Sequence, residues 1–141
     1  MPKPAAFQAT FEILRGILQA HSRRLWLVVD KPGDFQVASA TMKDRIGRPL
    51  FVAAVQIRRS YVSYHLMPVY AAPQLLKSMS SGLKKRMQGK SCFNFTSIEP
   101  DQVKELSALT RAGIAAFRNI DLPWATRQVK VSARSGRRRV R

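Results

Sequence analysis

The sequence predicts an α+β domain in which an antiparallel sheet of about five strands packs with N-terminal, middle and C-terminal helices. Apolar residues recur with helical spacing near both ends of this order, in residues 7–20 and 98–118. Between them, short runs rich in strand-forming residues are separated by turn signals. A chain of 141 residues with 45% hydrophobic residues can bury one core without disulfides or metal. We therefore expect a single domain.

The N-terminal helix is predicted from apolar residues spaced three and four positions apart, which is the pattern of an amphipathic helix. They are Phe7, Phe11, Leu14, Ile17 and Leu18. Residues 21–24 follow and place cations where the negative end of the helix dipole favours them.

Five segments are predicted as strands. They are residues 25–29, 35–40, 50–57, 61–70 and 91–95. Pro32 and Gly33 form a turn signal, so the first two should make an antiparallel hairpin. The link between the third and fourth is only three residues long, which predicts a second hairpin.

The fourth strand, 61–70, is expected to lie inside the sheet. Val62, Tyr64 and Leu66 fall on one face, and the residues on the other are Tyr61, Ser63, His65 and Met67. Because both faces carry apolar or aromatic groups, a central position is favoured over an edge. Pro68 should end the pairing.

Two further helical regions follow. Pro73 marks the start of a middle helix that Gly82 interrupts. The last helix has the clearest start: Pro100 suits the first helical position, Asp101 favours the positive end of the dipole, and Ile98 can pack on Val103 across the start. This helix should run to about residue 118.

The net charge is +17, from 25 Lys and Arg against 8 Asp and Glu. Seven of these positive charges lie in residues 127–141, so we predict a domain over 1–126 and a basic, disordered tail over 127–141. The apolar residues 122–124 are expected to fold back onto the domain as a latch. The single cysteine and the lack of a signal peptide or spanning segment predict a cytoplasmic protein without membrane contact.

The most informative stretches are 61–70 and 89–95, where aromatic, polar and basic residues combine as in a small-ligand site. The candidate binding residues are Tyr61, Ser63, His65, Tyr70, Lys84, Lys90, Cys92 and Asn94. The first hypothesis is a non-enzymatic binding domain for a small anionic or aromatic ligand or a partner protein, as a monomer or homodimer. The same aromatic residues are more often simply part of a core.

Enzymatic catalysis is the least favoured hypothesis. His65, Cys92 and Asn94 have the residue types of a cysteine-nucleophile site, but residue types without known adjacency are weak evidence. Two distant histidines and scattered acids offer no metal-ligand spacing, so we expect no metal and no cofactor. Residues 89–91 resemble the end of a phosphate-binding loop, but Lys84 stands where that loop requires glycine.

A third hypothesis is non-specific binding of nucleic acid or another polyanion through the basic surface. The tail is expected to contribute most. Its basic residues are Arg127, Lys130, Arg134, Arg137, Arg138, Arg139 and Arg141.

Residues 61–70, 83–95 and the final helix resemble the YdhG-like proteins, a bacterial family of unknown function. The resemblance covers about residues 7–119 and implies an α+β fold with helices packed against an antiparallel sheet. Some relatives are described as iron chaperones similar to frataxin. That role requires an acidic surface, and the charge here is opposite. The resemblance supplies no catalytic residues.

Overall fold

A computed structural model describes residues 4–118, 125–127 and 138–140. The predicted latch, 122–124, lies outside the described residues. So do Lys130, Arg134, Arg137 and Arg141 of the predicted tail.

The helices and strands follow the predicted order. The helices are α1 (Pro4–Ala20), α2 (Met67–Ala71), α3 (Ser81–Lys84) and α4 (Pro100–Phe117), with a 3₁₀ turn at Pro73–Leu76. The strands are β1 (Trp26–Lys31), β2 (Asp34–Asp44), β3 (Pro49–Ile57), β4 (Val62–Leu66), β5 (Met87–Gln88), β6 (Cys92–Phe95), β7 (Ala125–Arg127) and β8 (Arg138–Arg139).

All strand pairs are antiparallel, and the sheet order is β5-β6-β4-β3-β2-β1-β8, with β7 paired to β2. The α+β class, both hairpins and the central position of β4 are confirmed. The strand count is higher than predicted, because short strands form at 87–88 and near the C-terminus.

The prediction that pairing ends at Pro68 is confirmed, but the expected start of helical structure only after residue 70 was wrong. β4 ends at Leu66, and α2 begins at Met67 with Pro68 in its first turn. Proline has no N–H to give to a sheet, whereas its fixed φ suits the first turn of a helix. The middle helix was also overestimated, since residues 73–76 form only a 3₁₀ turn.

The core lies between the sheet and the helices. Val62, Tyr64 and Leu66 of β4 are fully buried, which confirms the predicted alternation. Phe95 pairs with Val62 and Phe93 with Tyr64, so β6 adds two more buried rings to the same face. α1 packs over β3 and β4, and α4 packs against α1 and α2.

A buried hydrogen-bond chain joins β4 to α4. The Thr110 hydroxyl donates to the Leu106 carbonyl at 2.7 Å and therefore has no second hydrogen to give. The Tyr64 hydroxyl, 2.7 Å from Thr110 Oγ1, must be the donor of the other bond. Burial raises the pKa of Tyr64, so the phenol stays protonated.

Helix α4 also approaches the end of β4 closely at Gly113. A Cβ at this position would lie 3.2 Å from Pro68 Cβ and 3.9 Å from a Leu66 methyl carbon. A larger residue would push α4 away from the sheet. Glycine here is a packing requirement, since its backbone adopts no positive φ.

The C-terminal residues that the structure describes join the sheet. Arg127 pairs with Met42, and Arg138 pairs with Leu27. Val140 is buried in the core, and its N–H donates to the Leu25 carbonyl at 2.9 Å. The predicted disorder therefore does not apply to Arg127 or to 138–140. For the rest of 127–141 it stays a prediction.

Because of this hydrogen-bond chain, substitutions at Tyr64 and Thr110 should lower the free energy of unfolding by different amounts. Tyr64→Phe removes one donor and leaves Thr110 bonded to Leu106, so it should lower the free energy of unfolding by about 1 kcal/mol. Thr110→Val leaves the buried Tyr64 hydroxyl unpaired and should cost about 1–3 kcal/mol. Urea unfolding of both variants and of the double variant measures this. A larger cost for Tyr64→Phe than for Thr110→Val would contradict the assigned direction.

Candidate functional site

Four of the eight predicted ligand residues lie together on the face of the sheet that points away from Tyr64 and α4. His65 pairs with Cys92, and Ser63 pairs with Asn94, across β4 and β6. His65, Cys92 and Asn94 are partly buried, whereas Ser63 is buried. The register therefore brings these two pairs of side chains into direct contact range.

The partner of His65 is a residue outside the predicted set. His65 Nε2 lies 2.9 Å from the Ser91 hydroxyl, and the imidazole packs against Phe51 with ring centroids 4.9 Å apart. Burial lowers the pKa of His65, so the ring is neutral at physiological pH. Burial raises the pKa of the Cys92 thiol, which the nearby charge of Arg58 only partly offsets. A neutral thiol is a poor nucleophile, which disfavours the cysteine enzyme hypothesis.

The other four predicted residues lie in flanking segments of the chain. Lys90 Nζ lies over the Tyr70 ring, 5.9 Å from its centroid, and Tyr70 is 46% exposed. Tyr61 lies in the turn between β3 and β4, and Lys84 is the last residue of α3. The strand register thus brings four of the eight residues together, and Lys90 contacts Tyr70.

A deeper site lies elsewhere, where the pairing of β2 with β3 is interrupted. The two strands pair at Ala38 with Phe51 and again only at Lys43 with Pro49. Between these points the Ser39 hydroxyl accepts hydrogen bonds from the backbone N–H groups of Thr41, at 3.1 Å, and Met42, at 2.9 Å. A side-chain acceptor thus replaces the strand partner and kinks β2.

This kink opens a cleft of about 400 Å³ beside the C-terminal ends of α1 and α4. Its inner surface is apolar. Leu25, Met42, Val52, Ile114 and Phe117 line it, and all five are at most 8% exposed. We call this site the arginine cleft, because its rim is basic.

Four arginines form the rim: Arg23, Arg24, Arg118 and Arg139. Arg23 and Arg24 are held at the tip of a tight turn after α1, in which the Ser22 hydroxyl donates to the Leu18 carbonyl at 2.6 Å and the Leu25 N–H donates to the Ser22 carbonyl. Arg139 extends over the Trp26 ring at 5.5 Å. No described residue that lines the cleft is acidic.

His21 also lines the cleft and joins the two helices. Its Nε2 lies 2.9 Å from the Ser107 hydroxyl of α4. Burial, and then the charge of Arg111, lower the pKa of His21. The cleft therefore presents a neutral imidazole and positive guanidinium groups at physiological pH.

This cleft was not predicted from the sequence. Residues 21–24 were expected to end a helix, and Arg139 was expected to belong to a disordered tail. One signal was present: α1 and α4 both end next to arginines, at 23–24 and 118. Their convergence depends on the return of the chain to β1 at 138–140, which local periodicity does not report.

No family model, curated protein or solved structure matches this chain. The resemblance to YdhG-like proteins therefore stays a prediction. Within residues 4–118, 125–127 and 138–140, no helix is both long and apolar enough to cross a membrane. Nor do the residues that the structure describes include three or more His, Cys, Asp or Glu side chains grouped to hold a metal ion.

The two lowered histidine pKa values predict a loss of stability in mild acid. The ordinary pKa of histidine is 6.5. Below this pH the histidines of the unfolded chain take up protons, whereas folded His21 and His65 take them up only at lower pH. The free energy of unfolding should therefore fall between pH 7 and pH 5. Urea unfolding across this range should show a smaller fall in the His21→Gln/His65→Gln variant.

Two comparisons accompany this measurement. The single variants show how much of the fall in the free energy of unfolding each histidine causes. The lowered pKa of Asp44 starts from 3.8, so its protonation lies below the range measured. An unchanged pH dependence in the double variant would contradict the assignment to the histidines.

Proposed function

We propose that this protein is a binding domain for a small amphipathic anion, held in the arginine cleft. The observation that carries the proposal is the combination of an apolar inner surface with a rim of four arginines in one concave site. Small-ligand sites are generally concave and apolar, with a few polar groups that fix orientation. A small anionic ligand was also expected from the sequence, but near residues 61–70 and 89–95 and not in the arginine cleft.

The rim indicates an oxyanion as the polar end of the ligand. A guanidinium group offers a planar fork of donors that matches a carboxylate or phosphate, and it stays charged at any physiological pH. The backbone carbonyls at the C-terminal ends of α1 and α4 repel anions. The arginines must therefore supply the attraction.

The inner surface indicates an apolar body for the same ligand. A bare phosphate or acetate would leave Leu25, Met42 and Phe117 without a partner. An alkyl or aromatic group that fills part of the 400 Å³ would bury apolar surface at about 25 cal/mol per Å². The expected ligand is a medium-length acyl or aromatic carboxylate.

A cytosolic location and membership of the YdhG-like family belong to the same proposal. The single, unpaired Cys92 supports the location, since secreted proteins of this size commonly contain disulfides.

The ligand class can be tested by calorimetric titration with octanoate, octanol and octyltrimethylammonium. These probes share the alkyl chain and differ in the charge of the head group. We expect octanoate to bind at least tenfold more tightly than octanol, because only the carboxylate can pair with the rim. Octyltrimethylammonium should bind most weakly.

The location can be tested with Arg23→Gln/Arg24→Gln, which should remove most of the preference for octanoate over octanol. Arg58→Gln/Arg59→Gln is the matched control: it removes the same charge from two exposed arginines outside the cleft. Equal loss of octanoate affinity in both variants would mean that net charge, and not the cleft, attracts the anion.

A further inference from the structure

A second basic surface lies around the predicted ligand residues, far from the rim arginines in sequence. We define it as the basic–aromatic patch. Its members are Phe51, His65, Tyr70, Arg86, Lys90 and Ser91. The Phe51 and His65 rings are in contact, and His65 bonds to the Ser91 hydroxyl. Lys90 precedes Ser91 and lies over the Tyr70 ring, and the Arg86 carbonyl accepts a hydrogen bond from the Asn94 N–H of β6.

The segment that carries this patch contains no acid. Between residues 45 and 98 the chain has nine lysines and arginines and no aspartate or glutamate. The ion pairs of Arg15 with Asp30 and of Arg48 with Asp44 involve no member of the patch. The segment that carries the patch is therefore positively charged.

Its two cations are positioned by the hairpin of β5 and β6. The Asn94 N–H donates to the Arg86 carbonyl at 2.7 Å, and Gln88 pairs with Cys92. Arg86 and Lys90 therefore lie directly before and after this short pairing, and both are exposed.

The patch also offers aromatic rings. Tyr70 is 46% exposed, and the Phe51 and His65 rings are partly exposed on the sheet. The lowered pKa of His65 keeps its ring neutral, which suits stacking. Rings beside cations are the usual components of a single-stranded nucleic-acid surface: bases stack on the rings, and phosphates contact the cations.

We infer that the basic–aromatic patch binds single-stranded nucleic acid without strong sequence preference. Charge complementarity selects a polyanion, and the exposed rings favour one whose bases are unpaired. A duplex hides the faces of its bases and could use only the cations. A second copy of this chain is disfavoured, because two chains of net charge +17 repel each other.

The role of the cations can be tested by fluorescence anisotropy with a labelled 20-nucleotide oligothymidine at several salt concentrations. Arg86→Gln/Lys90→Gln should lower the slope of log affinity against log salt by about 1.4, since each neutralised phosphate on a single strand contributes about 0.7. Lys31→Gln/Arg111→Gln removes the same charge from exposed positions outside the patch and should leave the slope nearly unchanged.

Charge substitution is preferred to deletion of the tail. Val140 is buried and β8 pairs with β1, so a truncation would damage the fold as well as remove arginines. Equal slopes for the two double variants would overturn the assignment to the patch.

The role of the rings can be tested by comparing the oligothymidine with a 20-base-pair duplex. Tyr70→Leu keeps an apolar side chain and removes the ring. It should weaken single-strand binding roughly 5-fold to 100-fold, the range expected for loss of one stacked base, and leave duplex binding unchanged. Phe51→Leu provides a second, independent variant if Tyr70→Leu lowers the melting temperature.

Three further outcomes would overturn the inference. The first is equal single-strand and duplex affinity for the native chain, which would leave only non-specific attraction by charge. The second is loss of oligothymidine binding in Arg23→Gln/Arg24→Gln but not in the patch variants, which would place the polyanion at the arginine cleft. Tighter patch-dependent binding to vesicles of anionic lipid than to oligothymidine would also overturn it.

Discussion

The close contact between α4 and β4 is the constraint on which both proposed sites depend. Gly113 lets the helix approach Pro68 and Leu66, and the Tyr64 hydroxyl ties the strand to Thr110 inside the contact. A buried hydroxyl that is left unpaired is costly, so this bond admits one register of helix on strand. From that register, β4 presents His65 to the patch on its other face, and the end of α4 closes one side of the arginine cleft.

The two sites differ in the strand pairing beneath them. The basic–aromatic patch lies where β3, β4 and β6 pair regularly, so its side chains project from a rigid surface. The arginine cleft lies where pairing fails. Ser39 supplies the hydrogen-bond acceptor that β3 would otherwise provide, which allows the strands to separate without leaving the Thr41 and Met42 N–H groups unpaired. The strands can therefore stay apart at the cleft although β3 supplies no hydrogen-bond acceptor for these two N–H groups.

Local signals were enough to predict most of the fold. The alternation of Val62, Tyr64 and Leu66, the turn at Gly33 and the start of α4 at Pro100 each depend on residues within a few positions of one another. The errors have the same origin. Residues 67–70 contain strand-forming side chains, but Pro68 directs the backbone into a helix.

The candidate sites were predicted less well, because they depend on contacts between distant residues. The pairing of His65 with Cys92 fits their prediction as strand residues of one set. Phe51 and Ser91 were not predicted as the contacts of His65. Nor was the arginine cleft predicted, which requires knowledge that 138–140 returns to β1.

The position of Arg139 shows why net charge alone is a poor guide to function in this chain. From composition it is one of seven basic residues in a tail, and any polyanion would attract it. In the fold it is anchored by strand pairing and by Trp26, at the rim of a site whose inner surface is apolar. An anchored cation loses less conformational entropy on binding than one on a flexible chain, and it acts at one distance and direction. Such a charge can select a ligand of matching shape, whereas the same charge on a flexible segment can only attract.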